Sequence, residues 1–374
     1  MQSHLPTAQM WTTYRWVTCE DGVFFALRLA GYDGASRTKC SVGKAGMKAI
    51  VYEQYGPPEV LKLVEVEKPK PGADEVLIRV CAAAVNPLDW HFMRGEPKAL
   101  RIGIGLRGPK DTRFGRDVAG VVEAVGKNVT KLRAGDEVFG ACKGAFAEYA
   151  CGRERALAVK PKNLSFEQAA AFPIAAISAL QALRDYGKLK AGERVLINGA
   201  SGGVGTFAAQ IAKALRAQVT GVCSTRNVEL VRSLGADAVV DYTQADFTQG
   251  ERAYDVMLDC IGNHSLEQCS RVLARGGRYV MVGGSDYSVS SMLVEMGAKL
   301  LRSIFTGRTF STLMAKMKAE DLVALRELAE AGKVTPVIDR RYSLAETAEA
   351  VRHVEEGHAR GKVVITVSSS AVSG

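Results

Sequence analysis

The sequence predicts an α/β fold in which a doubly wound parallel sheet is inserted into a smaller β-rich domain. Three observations lead there. From Arg194 onward, short apolar strands alternate with helical segments, the order that builds a parallel sheet with helical crossovers. Between Met47 and about Tyr149 the chain is instead a series of short strands punctuated by Gly and Pro. After about Phe310 it returns to two helices and a closing strand, a tail better suited to rejoining the first domain than to forming a third. The length of 374 residues asks for two domains, and 47% hydrophobic with 24% charged residues excludes a disordered or fibrous chain.

Residues 1–46 lack periodicity, hold Trp11 and Trp16, and end in the loop-like stretch GYDGASRTKCSVGKAG. They offer no basic start followed by a continuous apolar run, and Glu20, Asp21 and Asp33 spoil a transit peptide. The segment is read as an extension outside the fold, with Met47 a candidate natural start. The β-rich domain is assigned to 47–165 on MKAIVYEQYG, EVLKLVEVEKPKPG, DEVLIRVCAAAVNP, RDVAGVVEAVG and DEVFG, where the alternation in EVLIRV marks a strand. Ser165 with Gln168 resembles a helix start, and AAAFPIAAISALQALRDYG is an apolar helical stretch ending at Gly187. RVLING, QVTGVC, AVVDY, YDVMLDCIG and GRYVMVGG then read as strands, with GTFAAQIAKAL, VELVRSLG and SLEQCSRVL as helices. This parallel unit is given 166–309. EDLVALRELAEAG, LAETAEAVRHVEEG and GKVVITV complete the first domain over 310–367, leaving 368–374 as a tail.

No apolar run reaches the ~18 residues of a membrane helix, and integral membrane association is not expected. The longest candidate, Ala169 to Leu183, is cut by Pro173 and carries Ser178 and Gln181. The eight cysteines include no CxxC pair and the five histidines no HExxH or HxH. That suits reduced thiols in a cytoplasmic compartment and gives a zinc site no support, although residues 1–46 leave organellar targeting open. The net charge of +9 comes from 49 basic and 40 acidic residues with no basic block. An anionic small molecule, rather than nucleic acid, is the expected partner.

The sharpest local signal is Asn198-Gly199-Ala200-Ser201-Gly202-Gly203-Val204-Gly205, set between the apolar strand RVLI and a helix. A strand, a glycine-rich turn and a helix start aim backbone N–H groups and the positive helix end at a pyrophosphate, and the missing side chains let it approach. Read as A-x-G-x-x-G, the loop departs from G-x-G-x-x-G at Ala200. The next strand, QVTGVC, ends at the expected distance of ~20 residues, where a carboxylate would bind the ribose 2′-hydroxyl of NAD. The chain has Cys223-Ser224-Thr225-Arg226-Asn227 there, with no acid. Arg226, with the hydroxyls of Ser224 and Thr225, is suited to a 2′-phosphate, so the expected cofactor is NADPH.

From Met47 to Val367 the chain resembles the medium-chain dehydrogenase/reductase superfamily, in its zinc-independent quinone oxidoreductase and alkenal/enone reductase branch, which includes zeta-crystallin-like proteins. The resemblance rests on MKAIVYEQYGPPEVL, VNPLDW, GRDVAGVVEAVG, GDEVFG, GAFAEYA, PIAAISALQAL, LINGASGGVGTFAAQIAKALRAQVTGVC, LGADAVVDY, DVMLDCIG, GGRYVMVGG and GHARGKVVI. It implies a GroES-like domain wrapped around an inserted Rossmann domain, with the active site in the cleft between them. Zinc-using relatives carry a Cys within the VNPLD segment, a Gly-His-Glu where this chain has Gly115-Arg116-Asp117, and a four-cysteine lobe in place of EPKALRIGIGLRGPKDTR. No metal is therefore expected.

The resemblance further implies that Tyr52 and Asn86 line the nicotinamide and substrate end, offering an O–H and an amide. Asp89 caps the turn after Asn86, and Asp117 pairs with a neighbouring cation. Tyr242 flanks the adenine or its phosphate, while Cys260-Ile261-Gly262 and Val282-Gly283-Gly284 run past the nicotinamide ribose. Lys362 meets the cofactor from the other domain or else is a solvated charge. The implied activity is transfer of hydride to a quinone or an α,β-unsaturated carbonyl, with an enoyl thioester as an acceptor that sequence does not separate. The small molecule is the expected partner, and a homodimer is left open. The alternative is a nucleotide-binding, crystallin-like or RNA-binding module with little turnover.

Overall fold

The computed structural model describes residues 46–251, 253–283 and 307–367, which fall in one compact unit. The extension, apart from Gly46, lies outside the described residues, as do the tail 368–374 and Gly284. The first part of the chain holds β1 (Gly46–Val51), β2 (Lys62–Glu67), β3 (Glu75–Val85), α1 (Pro87–Arg94), α2 (Leu100–Ile104), β4 (Asp117–Val125), β5 (Glu137–Ala141), β6 (Tyr149–Arg153) and β7 (Leu157–Val159). There follow α3 (Phe166–Ala170), α4 (Pro173–Gln181), β8 (Arg194–Asn198), α5 (Gly203–Ala214), β9 (Gln218–Cys223), α6 (Val228–Ser233), β10 (Ala238–Asp241), β11 (Tyr254–Asp259), α7 (Leu266–Val272), β12 (Leu273–Met281) and β13 (Thr309–Thr312). The chain closes with α8 (Ala319–Glu330), β14 (Ile338–Ser343), α9 (Thr347–Glu355) and β15 (Lys362–Thr366).

Two large sheets result. One runs β14-β15-β3-β4-β5-β7 with β6 also on β3, antiparallel except where β14 meets β15. The other, β10-β9-β8-β11-β12-β13, is parallel throughout. Its central strand explains the unbroken apolar run RVLI: Val195 and Ile197 pack on one side with α4 and α5, Leu196 on the other with Met257 and Tyr279. A parallel strand covered by helices on both faces has no use for polar alternation.

The fold departs from the expected boundaries at two points. The stretch from Ala169 to Tyr186 is not one helix: α3, opened by the reciprocal Ser165–Gln168 capping box, stops before Pro173, which opens α4 because a first-turn residue needs no N–H. Phe310, where the tail was expected to turn back, lies inside β13 on the edge of the parallel sheet. The return to the first sheet follows it, through α8, which packs on the core shared with α4, and then β14 and β15.

Where the sheets meet, side chains are small. In β3 the alternation switches at a bulge between Val80 and Ala82: Ile78, Val80, Ala83 and Val85 enter the core of the first sheet, whereas Ala82 and Ala84 face the helices of the second. Ala119, Ala158, Ala169, Ala170, Ala171 and Ala176 share that junction. Alanine lets helix and strand backbones come close, and one aromatic stack bridges the gap, with Phe172 lying 6.3 Å from Phe139 and 4.9 Å from Phe207 between ring centres.

Candidate functional site

The glycine loop leaves β8 at Gly199, whose φ of +83° is the left-handed turn that this position requires. Ala200 follows it fully buried, so the departure from the usual glycine pattern is tolerated: the unusual backbone angle falls one residue earlier. At Gly205 a Cβ would be driven into the carbonyl oxygen of Gly199, so only glycine lets α5 start this close to the strand. Gly203, Val204 and Gly205 are the first turn of α5, with N–H groups that have no acceptor within the helix. Gly202 pairs with Gly361 in an isolated parallel bridge, and Lys362 Cδ lies 3.4 Å from where a Cβ on Gly203 would stand. The tail of the chain is therefore held against the phosphate loop.

Beyond β9, Ser224, Thr225, Arg226, Tyr242 and His358 line an open cleft of about 420 Å³. Arg226 is exposed and has no ion-pair partner among the described residues, whereas Thr225 spends its hydroxyl on Asp241 Oδ2 at 2.6 Å. That bond, with Thr243, holds the half-buried Asp241 carboxyl below the usual carboxylate range. Of the two hydroxyls expected to meet a 2′-phosphate, Thr225 thus gives its proton to Asp241, whereas Ser224 gives its proton to no described residue. His358, from the loop after α9, is a residue that sequence reasoning missed, since only closure of the tail brings it beside Arg226. Asn227, buried beneath, donates from Nδ2 to Ser201 Oγ at 3.0 Å and to Ser224 Oγ at 3.3 Å.

At the far end of the loop a second network went unread in the sequence. Asp259, at the carboxyl end of β11 and fully buried, accepts from Asn198 Nδ2 (2.9 Å), Tyr279 Oη (2.8 Å) and the backbone N–H groups of Ile261 (3.1 Å) and Gly262 (2.8 Å). Asn198 also reaches Asn263 at 3.0 Å. One carboxylate therefore shapes the Cys260-Ile261-Gly262 turn and ties it to the residue preceding the phosphate loop. Val282 and Gly283 follow β12 alongside, both donating to Asp259 O. The signal that was available is a polar residue ending each apolar strand, Asn198 after VLI and Asp259 after VML. Burial raises the Cys260 thiol pKa, so it stays protonated, and Ile261 remains 46% exposed above the turn.

A buried cluster is built from three strand ends of the first sheet. Lys362 Nζ, on the first residue of β15, donates to Asn86 Oδ1 at 2.6 Å and Val85 O at 3.1 Å, and lies 3.4 Å from Asp117 Oδ2. Asn86 Nδ2 donates to Asp117 Oδ2 at 2.9 Å and Ala84 O at 3.3 Å, and Asp117 Oδ1 accepts from the Ile174 N–H at 3.0 Å. Lys362 is thus not a solvated charge but the buried cation for Asp117. The Asn86 amide has both N–H groups engaged, so its contribution is to fix the α1 start rather than to offer a free donor. Asp89 accepts from the Asn86 N–H at 2.8 Å, and burial pushes its carboxyl up to about 7. Burial likewise raises Asp117 and lowers Lys362. Tyr52 sits in the first-sheet core, edge-on to Phe114 at 5.4 Å, and burial raises its pKa so that the phenol keeps its proton. No group of three or more His, Cys, Asp or Glu among the described residues is arranged to hold a metal ion.

Comparison with known proteins places this arrangement. Residues 72–162 match the alcohol dehydrogenase GroES-like domain, and residues 234–365 match the zinc-binding dehydrogenase domain. A 2-methylene-furan-3-one reductase of Solanum lycopersicum is 36% identical over 347 residues, covering 88% of this chain and 82% of that protein. An NADPH-dependent alkenal/one oxidoreductase of Arabidopsis thaliana, named as chloroplastic, is 36% identical over 334 residues, covering 85% and 79%. The solved quinone oxidoreductase of Coxiella burnetii superposes with a TM-score of 0.75 at 31% identity, over 86% of this chain and 100% of that one. The GroES-like domain, the parallel nucleotide-binding sheet and these relatives together mean that the chain belongs to the medium-chain dehydrogenase/reductase superfamily, in its zinc-independent quinone and enone reductase branch.

Proposed function

We propose that the protein is an NADPH-dependent reductase that delivers hydride to a quinone or to the β-carbon of an α,β-unsaturated carbonyl. The observation that carries this reading is the cleft at the end of β9, where Arg226, without an ion-pair partner among the described residues, and Ser224, whose hydroxyl proton no described residue takes, stand in the place of a ribose-binding carboxylate. A 2′-phosphate gains charge-assisted bonds there. The residues also fit the rest of the cofactor: glycines that a Cβ would crowd, unpaired N–H groups at the start of α5, and a carboxylate-braced turn at the ends of β11 and β12. When bound, the reduced nicotinamide supplies a hydride to an acceptor that its own carbonyl already polarises.

The chain's part is alignment. The α5 N-terminus and the glycine loop hold the pyrophosphate, Arg226 and Ser224 the 2′-phosphate, and the Asp259-braced turn the ribose. Ile261 offers an apolar wall on that turn, and Tyr52 and the Asn86 corner bound the substrate end. Lys362 and Asp117 position that corner by fixing the Asn86 side chain from two sides. The cytoplasm is the compartment we propose, on the six free cysteines among the described residues. Among those residues no helix is long and apolar enough to cross a membrane.

The test is NADPH consumption against a quinone, a short enal, a long-chain enone and an enoyl thioester. Turnover of a quinone or enone is expected. No turnover with any acceptor, together with tight, salt-steep RNA retention on a filter, would replace this reading with the binding-module alternative.

A further inference from the structure

The amide of Asn227 poses a question that the proposed function does not answer. It is 6% exposed, and its Oδ1 is buried without a partner, while Nδ2 donates to the hydroxyl oxygens of two serines from different loops, Ser201 at 3.0 Å and Ser224 at 3.3 Å. The opposite orientation of the amide would let Oδ1 accept both hydroxyl protons, but it would strand two buried N–H donors instead of one carbonyl oxygen. Two orphaned donors are the costlier arrangement, so the donating orientation is the stable one. Its chemical effect is specific. A hydroxyl whose oxygen already accepts a hydrogen bond keeps its own proton for another acceptor, and no described residue takes the proton of Ser201 or Ser224.

Ser201 lies in the glycine loop, Ser224 in the cleft with Arg226. We propose that Asn227 is a positioning residue for cofactor selection, which commits Ser201 and Ser224 as hydrogen-bond donors and aims one at the pyrophosphate and the other at the 2′-phosphate of NADPH. The assignment rests on the proposed NADPH reading of this cleft. It adds a neutral, buried determinant behind the exposed charge of Arg226. It also couples the two subsites, since one amide orients both hydroxyls.

The test is calorimetric titration of the full chain with adenosine 2′,5′-bisphosphate, 5′-AMP, NADPH and NADH. Asn227→Asp replaces the donor by an acceptor that draws both hydroxyl protons inward. It is expected to weaken NADPH and the 2′,5′-bisphosphate by at least about tenfold, and NADH less. Ser224→Ala is expected to weaken only the ligands with a 2′-phosphate, and Ser201→Ala to weaken NADPH and NADH alike. Asn227→Ala should cost affinity in the wild-type background and nothing further once both serines are alanine. The idea is overturned if Asn227→Ala costs the same affinity with and without the two hydroxyls, or if Ser224→Ala weakens NADPH and NADH equally. The serine variants keep it testable if Asn227→Asp does not fold. Failure of the underlying NADPH reading has a different signature: the unaltered protein would bind 2′,5′-bisphosphate no better than 5′-AMP, and Arg226→Ala would change neither.

Discussion

Arg226 and Asp89 illustrate two ways a single charge acts. Arg226 is exposed, and its guanidinium has nothing to bind among the described residues, so its value lies in a ligand. Replacing it with alanine is expected to weaken NADPH by about 10- to 100-fold and NADH little, the loss of one charge-assisted contact to phosphate. Fluorescence titration of both cofactors checks this, and an equal loss for the two would remove Arg226 from the 2′-phosphate site. Asp89 is the reverse case, a carboxyl enclosed by protein with Asp117, Arg116 and Lys362 nearby. Its folded pKa of about 7 stands above the unfolded value of about 3.9, so the fold holds the proton more tightly than the unfolded chain does. Stability from this group is complete below the unfolded pKa and is lost as pH rises through the folded one, at up to ~1.4 kcal/mol per pH unit. Asp89→Asn mimics the protonated carboxyl and is expected to remove that part of the decline in melting temperature between about pH 4 and 7. Parallel melting curves with the same slope would show that Asp89 is not the titrating group.

At the scale of the element, strand ends do the positioning and the strands between them serve as beams. β8, β9, β11 and β12 all deliver polar or glycine residues at their carboxyl ends, the side on which an open parallel sheet binds its ligand. The closeness of β8 and α5 depends on Gly205, whose missing Cβ leaves room for the Gly199 carbonyl. Gly205→Ala forces these apart and is expected to cost about 1–3 kcal/mol of stability. Because the displaced atoms belong to the phosphate loop, cofactor affinity should fall with it. Thermal melts and NADPH titration of the variant read both effects, and a protein of unchanged melting temperature that binds normally would show that the loop tolerates a methyl.

Across the whole molecule, the two sheets are joined at an alanine-rich junction, and one buried ion pair lies in it. Lys362 from the last strand, Asp117 from β4, Asn86 at the start of α1 and Ile174 at the start of α4 meet there, so three strand ends of the first sheet and the helix α4 share one polar knot. Replacing Lys362 with methionine leaves Asp117 charged and buried without its cation, which is expected to cost about 3–5 kcal/mol. Pairing that change with Asp117→Asn should recover much of the loss, since no bare charge then remains. Urea denaturation of the single and double variants checks this. A Lys362→Met protein as stable as the parent, or a double variant no better than the single one, would show that the pair does not hold the junction.

Local chemistry was legible in the sequence wherever the relevant residues are neighbours in the chain. The glycine loop, the acid-free end of QVTGVC and the alternation of strands and helices each depend on a few contiguous residues whose backbone preferences act alone, and the structure has them at the expected places. Ala200 looked like a defect in the motif until the φ of Gly199 accounted for it. The ends of β13 and the break at Pro173 were less legible, because they depend on which sheet edge and which helix surface lie nearby. Tertiary structure alone decided the rest: Lys362 bonds to Asn86 across 276 positions and approaches Asp117 across 245, His358 faces Arg226 through chain closure, and Asn227 selects two serines from separate loops. A lone lysine or asparagine carries no periodicity, and its partners are fixed only when burial removes water and obliges each polar atom to find another.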